Sequence, residues 1–289
     1  MWPIQGAEIL QCHVMGDSDE QKLAEVQACL NDKSLGLQLR ENVQRETAMY
    51  TVGLLPLSQK EKIEPGATGT LVSFLNSYYI LTAAHVWYEG LKNALRIGVT
   101  LKEEVDHKYL LDPMVVEPFG PPRPTNWNQW GPDIVLLDIP PVCAAEIMAL
   151  GRGGFYNLSK PKPLSRGGYL EERLLMGLPE ILAKYEGAHA DLYLNGMFLA
   201  SDAPTKSRGD FDYVDLDVGY QGALEDFGGV SGGGLWHILY YKSAETGEIK
   251  WFKFLEGVAF YHLPVPRAIR CHGPQSIGTA LGFLFGPVR

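Results

Sequence analysis

The chain is poor in cysteine: its 289 residues include four, Cys12, Cys29, Cys143 and Cys271, scattered with no paired spacing. That excludes a disulfide-framed small domain and a cysteine-built zinc site, and the thiols are read as buried and reduced. No run of 18 apolar residues is present, so no membrane span is expected. The opening Met1-Trp-Pro-Ile-Gln5 has no basic stretch leading into an apolar core, which argues against a secretory leader and for a cytoplasmic protein. Basic charge is also in deficit. A formal net charge of −9 makes a general nucleic-acid or anionic-membrane surface unexpected. Gly151-Arg-Gly-Gly154 lacks the Lys-Ser/Thr of a phosphate loop, and no repeat or low-complexity tract interrupts the chain.

Glycine and proline, by contrast, are plentiful. Thirty-two glycines and 19 prolines in a chain that is 46% hydrophobic point to many short strands joined by tight turns. Residues 48–55, 69–74, 78–82 and 96–101 read as strands, and the near-continuous apolar run 134–139 reads as a buried one. Residues 83–91 read as a single helical turn, and the Pro/Trp/Asn-rich 115–130 as a surface loop. Further strands are expected at 192–198, 211–218, 235–241 and 251–261, with a helix or strand near 277–285. Ahead of all these, Leu23, Val26 and Leu30 recur at helical spacing behind Asp17-Ser18. They predict a short amphipathic helix over 20–31 that packs on the body. Asp215 and Asp217 alternate with Leu216 and Val218, which suits the solvent side of a strand better than a cation site; no metal and no cofactor are expected.

Three motifs carry chemistry. Phe227-Gly-Gly-Val-Ser-Gly-Gly-Gly-Leu235 sets Ser231 among glycines, where a hydroxyl nucleophile can lie beside free backbone N–H donors for an oxyanion. Side chains at Gly229 or Gly233 are expected to obstruct a substrate carbonyl. Tyr79-Ile-Leu-Thr-Ala-Ala-His-Val86 presents His85, and Gly131-Pro-Asp-Ile-Val-Leu-Leu-Asp138 presents Asp133 ahead of its strand. Asp138 is the rival carboxylate, but the strand period puts it on the face opposite Asp133. The order His, Asp, Ser differs from the α/β-hydrolase order of Ser, then Asp or Glu, then His. After Ser231 comes no aspartate, only Glu245, Glu248 and Glu256, and about 58 residues, too few to complete such a sheet.

In this order and context the motifs resemble the trypsin-like, chymotrypsin-fold serine proteases, over residues 45 to 289. Val86 stands where secreted animal members often carry cysteine, so the resemblance is to a bacterial intracellular member. It implies an all-β fold of two six-stranded antiparallel β-barrels with the active site in the cleft between them. Residues 1–45 would form a helical N-terminal extension and 46–150 the first barrel, with His85 and Asp133. Residues 151–289 would hold a connecting loop, which begins near Cys143, and the second barrel with Ser231. The resemblance makes Ser231 the nucleophile, His85 its base and then acid, and Asp133 the partner that orients the imidazole. Backbone N–H groups of Gly229 and Ser231 would form the oxyanion hole, and a protein or peptide would be the substrate.

The same resemblance puts a specificity-pocket floor at Glu225, followed by Asp226, and a wall at Phe260, Tyr261 and His262. An acidic floor selects Arg or Lys before the scissile bond. Alternatively Glu225 and Asp226 face solvent on a loop, or His262 recognises an acidic or amide side chain. Residues near Phe260 would pair with an extended substrate as an added strand. Two departures stand out: Val230 occupies the position of an aspartate that pairs with a freshly cut N-terminus, and Gly234 replaces a common proline. They leave room for a regulatory protein partner that orders the oxyanion loop. They also leave room for two other readings, a protease-fold binding module with little turnover and an esterase using the same triad.

Overall fold

The computed structural model describes residues 17–58, 63–64, 66–100, 108–122, 129–150, 154–160, 168–186, 189–199, 202–219 and 226–285. Cys12, Glu225, the start of Gly151-Arg-Gly-Gly154 and residue 101 lie outside them. The chain opens with two helices, α1 (Asp17–Asn31) and α2 (Leu35–Ala48), where the sequence predicted one. The stripe of α2 is Leu39, Val43 and Thr47, blurred by the exposed Leu35 and Leu37. Both helices pack on the body: Val26, Leu30, Leu39 and Val43 share one buried cluster with Trp236, Ile238 and Tyr240. Arg40 adds a fork onto Glu172, with its Nη2 at 2.5 Å and its Nε at 3.1 Å from the two carboxylate oxygens.

The first sheet comprises β1 (Thr51–Leu57), β2 (Ala67–Phe74), β3 (Ser77–Thr82), β4 (Arg96–Thr100), β5 (Lys108–Leu111), β6 (Glu117–Phe119), β7 (Val135–Ile139) and β8 (Tyr156–Asn157). Its antiparallel order is β5-β4-β1-β2-β3-β7-β6, with the short β8 lying parallel on β2. Helix α3 (Pro141–Ala149) follows β7, with proline at its start where the missing N–H costs nothing. Next come β9 (Leu170–Gly177), the small pair β10 (Lys184–Glu186) and β11 (His189–Asp191), and β12 (Asn195–Leu199). The chain then forms β13 (Thr205–Arg208), β14 (Phe211–Asp217), β15 (Gly234–Lys242), β16 (Ile249–Leu263), β17 (Ala268–His272) and α4 (Pro274–Gly282). The second sheet runs β12-β9-β15-β16-β17-β14-β13, again antiparallel.

The all-β class therefore holds, as two antiparallel sheets with few helices among the described residues, consistent with a chymotrypsin-like double barrel. The strand count departs from six in each: the sheets carry eight and seven. The stretch expected as a loop over 115–130 contains β6, and the connection after Cys143 begins inside α3 and contributes β8. Asp217 is exposed, as its alternation suggested, but Asp215 is half-buried. Its carboxylate takes a fork from Arg270, opposite it on β17, at 2.6 and 2.8 Å, and the Lys206 ammonium at 2.7 Å. No described helix is long and apolar enough to cross a membrane.

Candidate active site

Three strand ends meet between the sheets. His85 follows β3 and opens a wide helical turn over Val86–Gly90, matching the single turn read from sequence. Asp133 precedes β7, the neighbour of β3, so the two strands bring their ends together. Its carboxylate is 2% exposed and spans His85: Oδ2 lies 2.7 Å from Nδ1, and Oδ1 accepts the His85 backbone N–H at 2.9 Å. Burial works against the imidazolium, but the hydrogen bond and charge of Asp133, with Glu89, outweigh it and hold His85 above its ordinary pKa. Asp138 points elsewhere, across from Glu117 on β6, where burial and that neighbour raise its pKa.

Ser231 sits in the turn leading into β15 and shares a cavity of about 310 Å³ with His85, Gly229, Leu54, Pro56, Val86, Leu91 and Glu89. The turn is bonded almost throughout. Gly228 N–H donates to Asp226 Oδ1, Val230 N–H to Phe227 O, Gly232 N–H to Ala259 O and Gly233 N–H to Val230 O. From Gly228 to Gly233, and among the described residues, the N–H groups of Gly229 and Ser231 are the two that lack an acceptor. The Gly228 carbonyl accepts from Glu180 N–H at 2.7 Å, so the Gly229 N–H, on the other side of that planar peptide, is turned away from Glu180 and the turn that follows β9. Val230 is buried with Phe227, Leu175, Leu235 and Ala259, an apolar anchor where the resembling family has a charge.

The glycines serve a purpose other than the one read from sequence. A Cβ on Gly233 would lie 2.2 Å from Met176 O, and one on Gly229 (φ +82°) 2.5 Å from Leu178 O. They keep backbone against backbone, not a path open for substrate. Gly232 (φ +90°) is tighter still, its Cβ 1.9 Å from Thr68 O. Gly234 has no room for proline, since a Cβ there would meet Trp236 Nε1 at 2.7 Å.

The first sheet grips this turn through residues the sequence reading missed. Thr68 N–H donates to Ser231 O at 3.0 Å, and Thr68 Oγ1 donates to Gly229 O at 2.7 Å while accepting Leu178 N–H at 2.9 Å. Thr70 Oγ1 donates to Gly232 O at 3.2 Å. Thr68→Val keeps the shape and strands two half-buried partners, so about 1 kcal/mol of stability should be lost. Slack at the Gly229 peptide should also lower kcat about tenfold with KM nearly unchanged. Thermal melts and steady-state kinetics read both.

The second sheet holds Asp133. Tyr213 Oη donates to Trp130 O at 2.5 Å, Arg270 Nη1 to Gln129 O at 2.7 Å, and the Arg270 guanidinium lies 4.0 Å over the Trp130 ring. His272 accepts the Asp133 backbone N–H at 3.0 Å. No sequence signal marked these residues: Arg270 and His272 lie on β17, which went unread, and Tyr213 reads as one more residue of an expected strand.

The expected specificity residues scatter. Glu225 lies outside the described residues. Asp226 is exposed and spends Oδ1 on the Gly228 N–H, the solvent-facing loop of the alternative reading. Phe260 is 2% exposed and sits at a bulge in β16, its ring stacked 4.2 Å from His272 and so turned inward. Tyr261 is 37% exposed. His262 packs edge-on to Phe227 at 5.2 Å, and its buried Nε2 has no partner among the described residues. Residues 261–263 pair with β17 on one side and lie past the last β15 partner on the other.

No protein-family model and no curated protein matches the chain. Among solved structures, it is similar to the active form of a protease from M. tuberculosis, at 14% identity over 89% of this chain and 88% of that one, with a TM-score of 0.45. It is also similar to a structure concerned with the aromatic-driven coupled folding and binding of the intrinsically disordered VPg protein of Sesbania mosaic virus. There the identity is 10% over 79% of this chain and 89% of that one, with a TM-score of 0.42.

Proposed function

We propose that the chain is a serine endopeptidase of the trypsin-like type, with His85, Asp133 and Ser231 as its triad. One observation carries the reading: the N–H groups of Gly229 and of Ser231 itself, with no acceptor among the described residues, lie on the same cavity as a histidine already paired to a buried carboxylate. Ser231 Oγ attacks the scissile carbonyl as His85 takes its proton. The oxyanion forms against the N–H groups of Gly229 and Ser231, and His85 then protonates the departing amine. Water, deprotonated by the same imidazole, releases the acyl group from Ser231.

The edge of β16 at Tyr261–Leu263, which has no β15 partner among the described residues, suits the acyl side of an extended peptide as an added strand. A preference for Arg or Lys before the scissile bond now rests on Glu225 alone. The bonded turn around Ser231 supports a site that needs no partner to order its oxyanion donors, and control by a partner would act on substrate access.

The test is turnover by the full chain of a mixed peptide library and of matched esters. Peptide cleavage abolished by a fluorophosphonate is the expected result. Ester turnover alone would make the protein an esterase, and no turnover of either would make it a binding module. Activity should also fall at acid pH as His85 gains a proton, and the midpoint should lie above the ordinary histidine value of about 6.5 because Asp133 favours the charged ring. A kcat/KM profile that stays flat from pH 5 to 8 would contradict this.

A further inference from the structure

His272 is fully buried. Because Asp133 N–H is a donor, the Nε2 that meets it at 3.0 Å must carry a lone pair, which leaves the ring proton on Nδ1. Nδ1 lies 3.2 Å from Ser276 Oγ, at the start of α4. That hydroxyl also accepts Asp212 N–H at 2.9 Å and gives its own hydrogen to Asp212, whose Oδ1 at 2.8 Å and backbone O at 2.9 Å both lie within reach. Its two lone pairs and its one hydrogen are thereby used. The Asp212 carboxylate, 4% exposed, is fixed in turn by Ser276 N–H at 2.7 Å and Gln275 N–H at 3.1 Å. Phe260 stacks on the ring, Tyr213 lies 5.2 Å from it, and a Cβ on Gly131 would stand 3.2 Å from Nε2. Burial pushes the ring pKa down to about 3, so the lone pair persists wherever the enzyme works.

We propose that His272 is a positioning residue for the triad carboxylate: the Asp212–Ser276 chain fixes its tautomer, and its Nε2 holds Asp133 by the backbone so that both carboxylate oxygens reach His85. The role rests on the triad reading. It makes the second sheet a support for the acid–base pair of the first, beyond supplying Ser231. The dependence is directional. Losing the Nε2 acceptor leaves a buried N–H unpaired and lets the Asp133 backbone turn, and the carboxylate that favours imidazolium at His85 moves off line.

The experiment compares His272→Phe, which keeps the ring volume and the stack on Phe260, with His272→Gln, which restores an acceptor near Nε2. Two readouts are taken on the full-length protein: the His85 ring pKa by NMR titration, and the rate of Ser231 labelling by a fluorophosphonate. His272→Phe should lower the His85 pKa and slow labelling about tenfold. His272→Gln should recover part of both. A folded His272→Phe with unchanged His85 titration and labelling overturns the proposal. If that variant fails to fold, Ser276→Ala is read instead, since it frees the Nδ1 proton: a lowered His85 pKa supports the proposal and an unchanged one overturns it. Should wild-type Ser231 take no label, the triad reading fails, while the substrate-free NMR titration still decides the role of His272.

Discussion

Ser231→Ala is expected to lower kcat on any cleaved peptide by about 10⁶, with KM nearly unchanged. The size follows from how the site is divided. Substrate contacts along β16 and the N–H groups of Gly229 and Ser231 survive the change, so binding survives. What goes is the one atom that can form the acyl bond. The substitution also costs little in folding, because the grip on the turn comes from backbone and threonine hydroxyls: Thr68 N–H on Ser231 O, Thr68 Oγ1 on Gly229 O and Thr70 Oγ1 on Gly232 O. Side-by-side kinetics and melting curves should show activity lost and stability kept. Retention of more than a few per cent of peptide turnover would remove Ser231 from the mechanism.

Asp133→Asn should lower kcat by about 10⁴ at neutral pH. Oδ1 accepts the His85 backbone N–H, which fixes the amide oxygen there and turns the amide NH₂ toward Nδ1. The imidazole then answers with its Nδ1 lone pair, and the proton moves to Nε2, the nitrogen that should act as base. Removing the carboxylate also removes the hydrogen bond and the charge by which Asp133 raises the His85 pKa, and leaves burial, which lowers it, opposed by Glu89 alone. The acid limb of the pH profile should therefore move to lower pH even as the plateau falls. A loss of only a few-fold, with the limb in place, would reduce the His85–Asp133 contact to a structural one.

The three residues proposed as a triad stood out in sequence because each lies in a stretch whose local needs are strict. Thr82-Ala-Ala-His85 must end a buried strand in a helical turn, Asp133 must precede an apolar strand, and the run around Ser231 must let backbone approach backbone. The supports were not legible. Thr68 acts on Gly229 across 161 residues, and His272 acts on Asp133 across 139. Their roles come from how β2 and β17 meet the opposite sheet, and no short window records that. β17 went unread because two of its five buried residues, Arg270 and His272, break its apolar pattern, and α2 because two exposed leucines disturb its stripe. The Gly229 and Gly233 error has the same origin: sequence shows that a side chain is forbidden, while only the fold shows that Leu178 and Met176 carbonyls forbid it.

Reaction of the intact protein with a fluorophosphonate, followed by peptide mapping in a mass spectrometer, tests the triad most directly. A single adduct on Ser231 is predicted, forming more slowly as His85 is protonated and lost in His85→Ala. An adduct on another residue, or labelling of Ser231 at an unchanged rate without His85, would contradict the account.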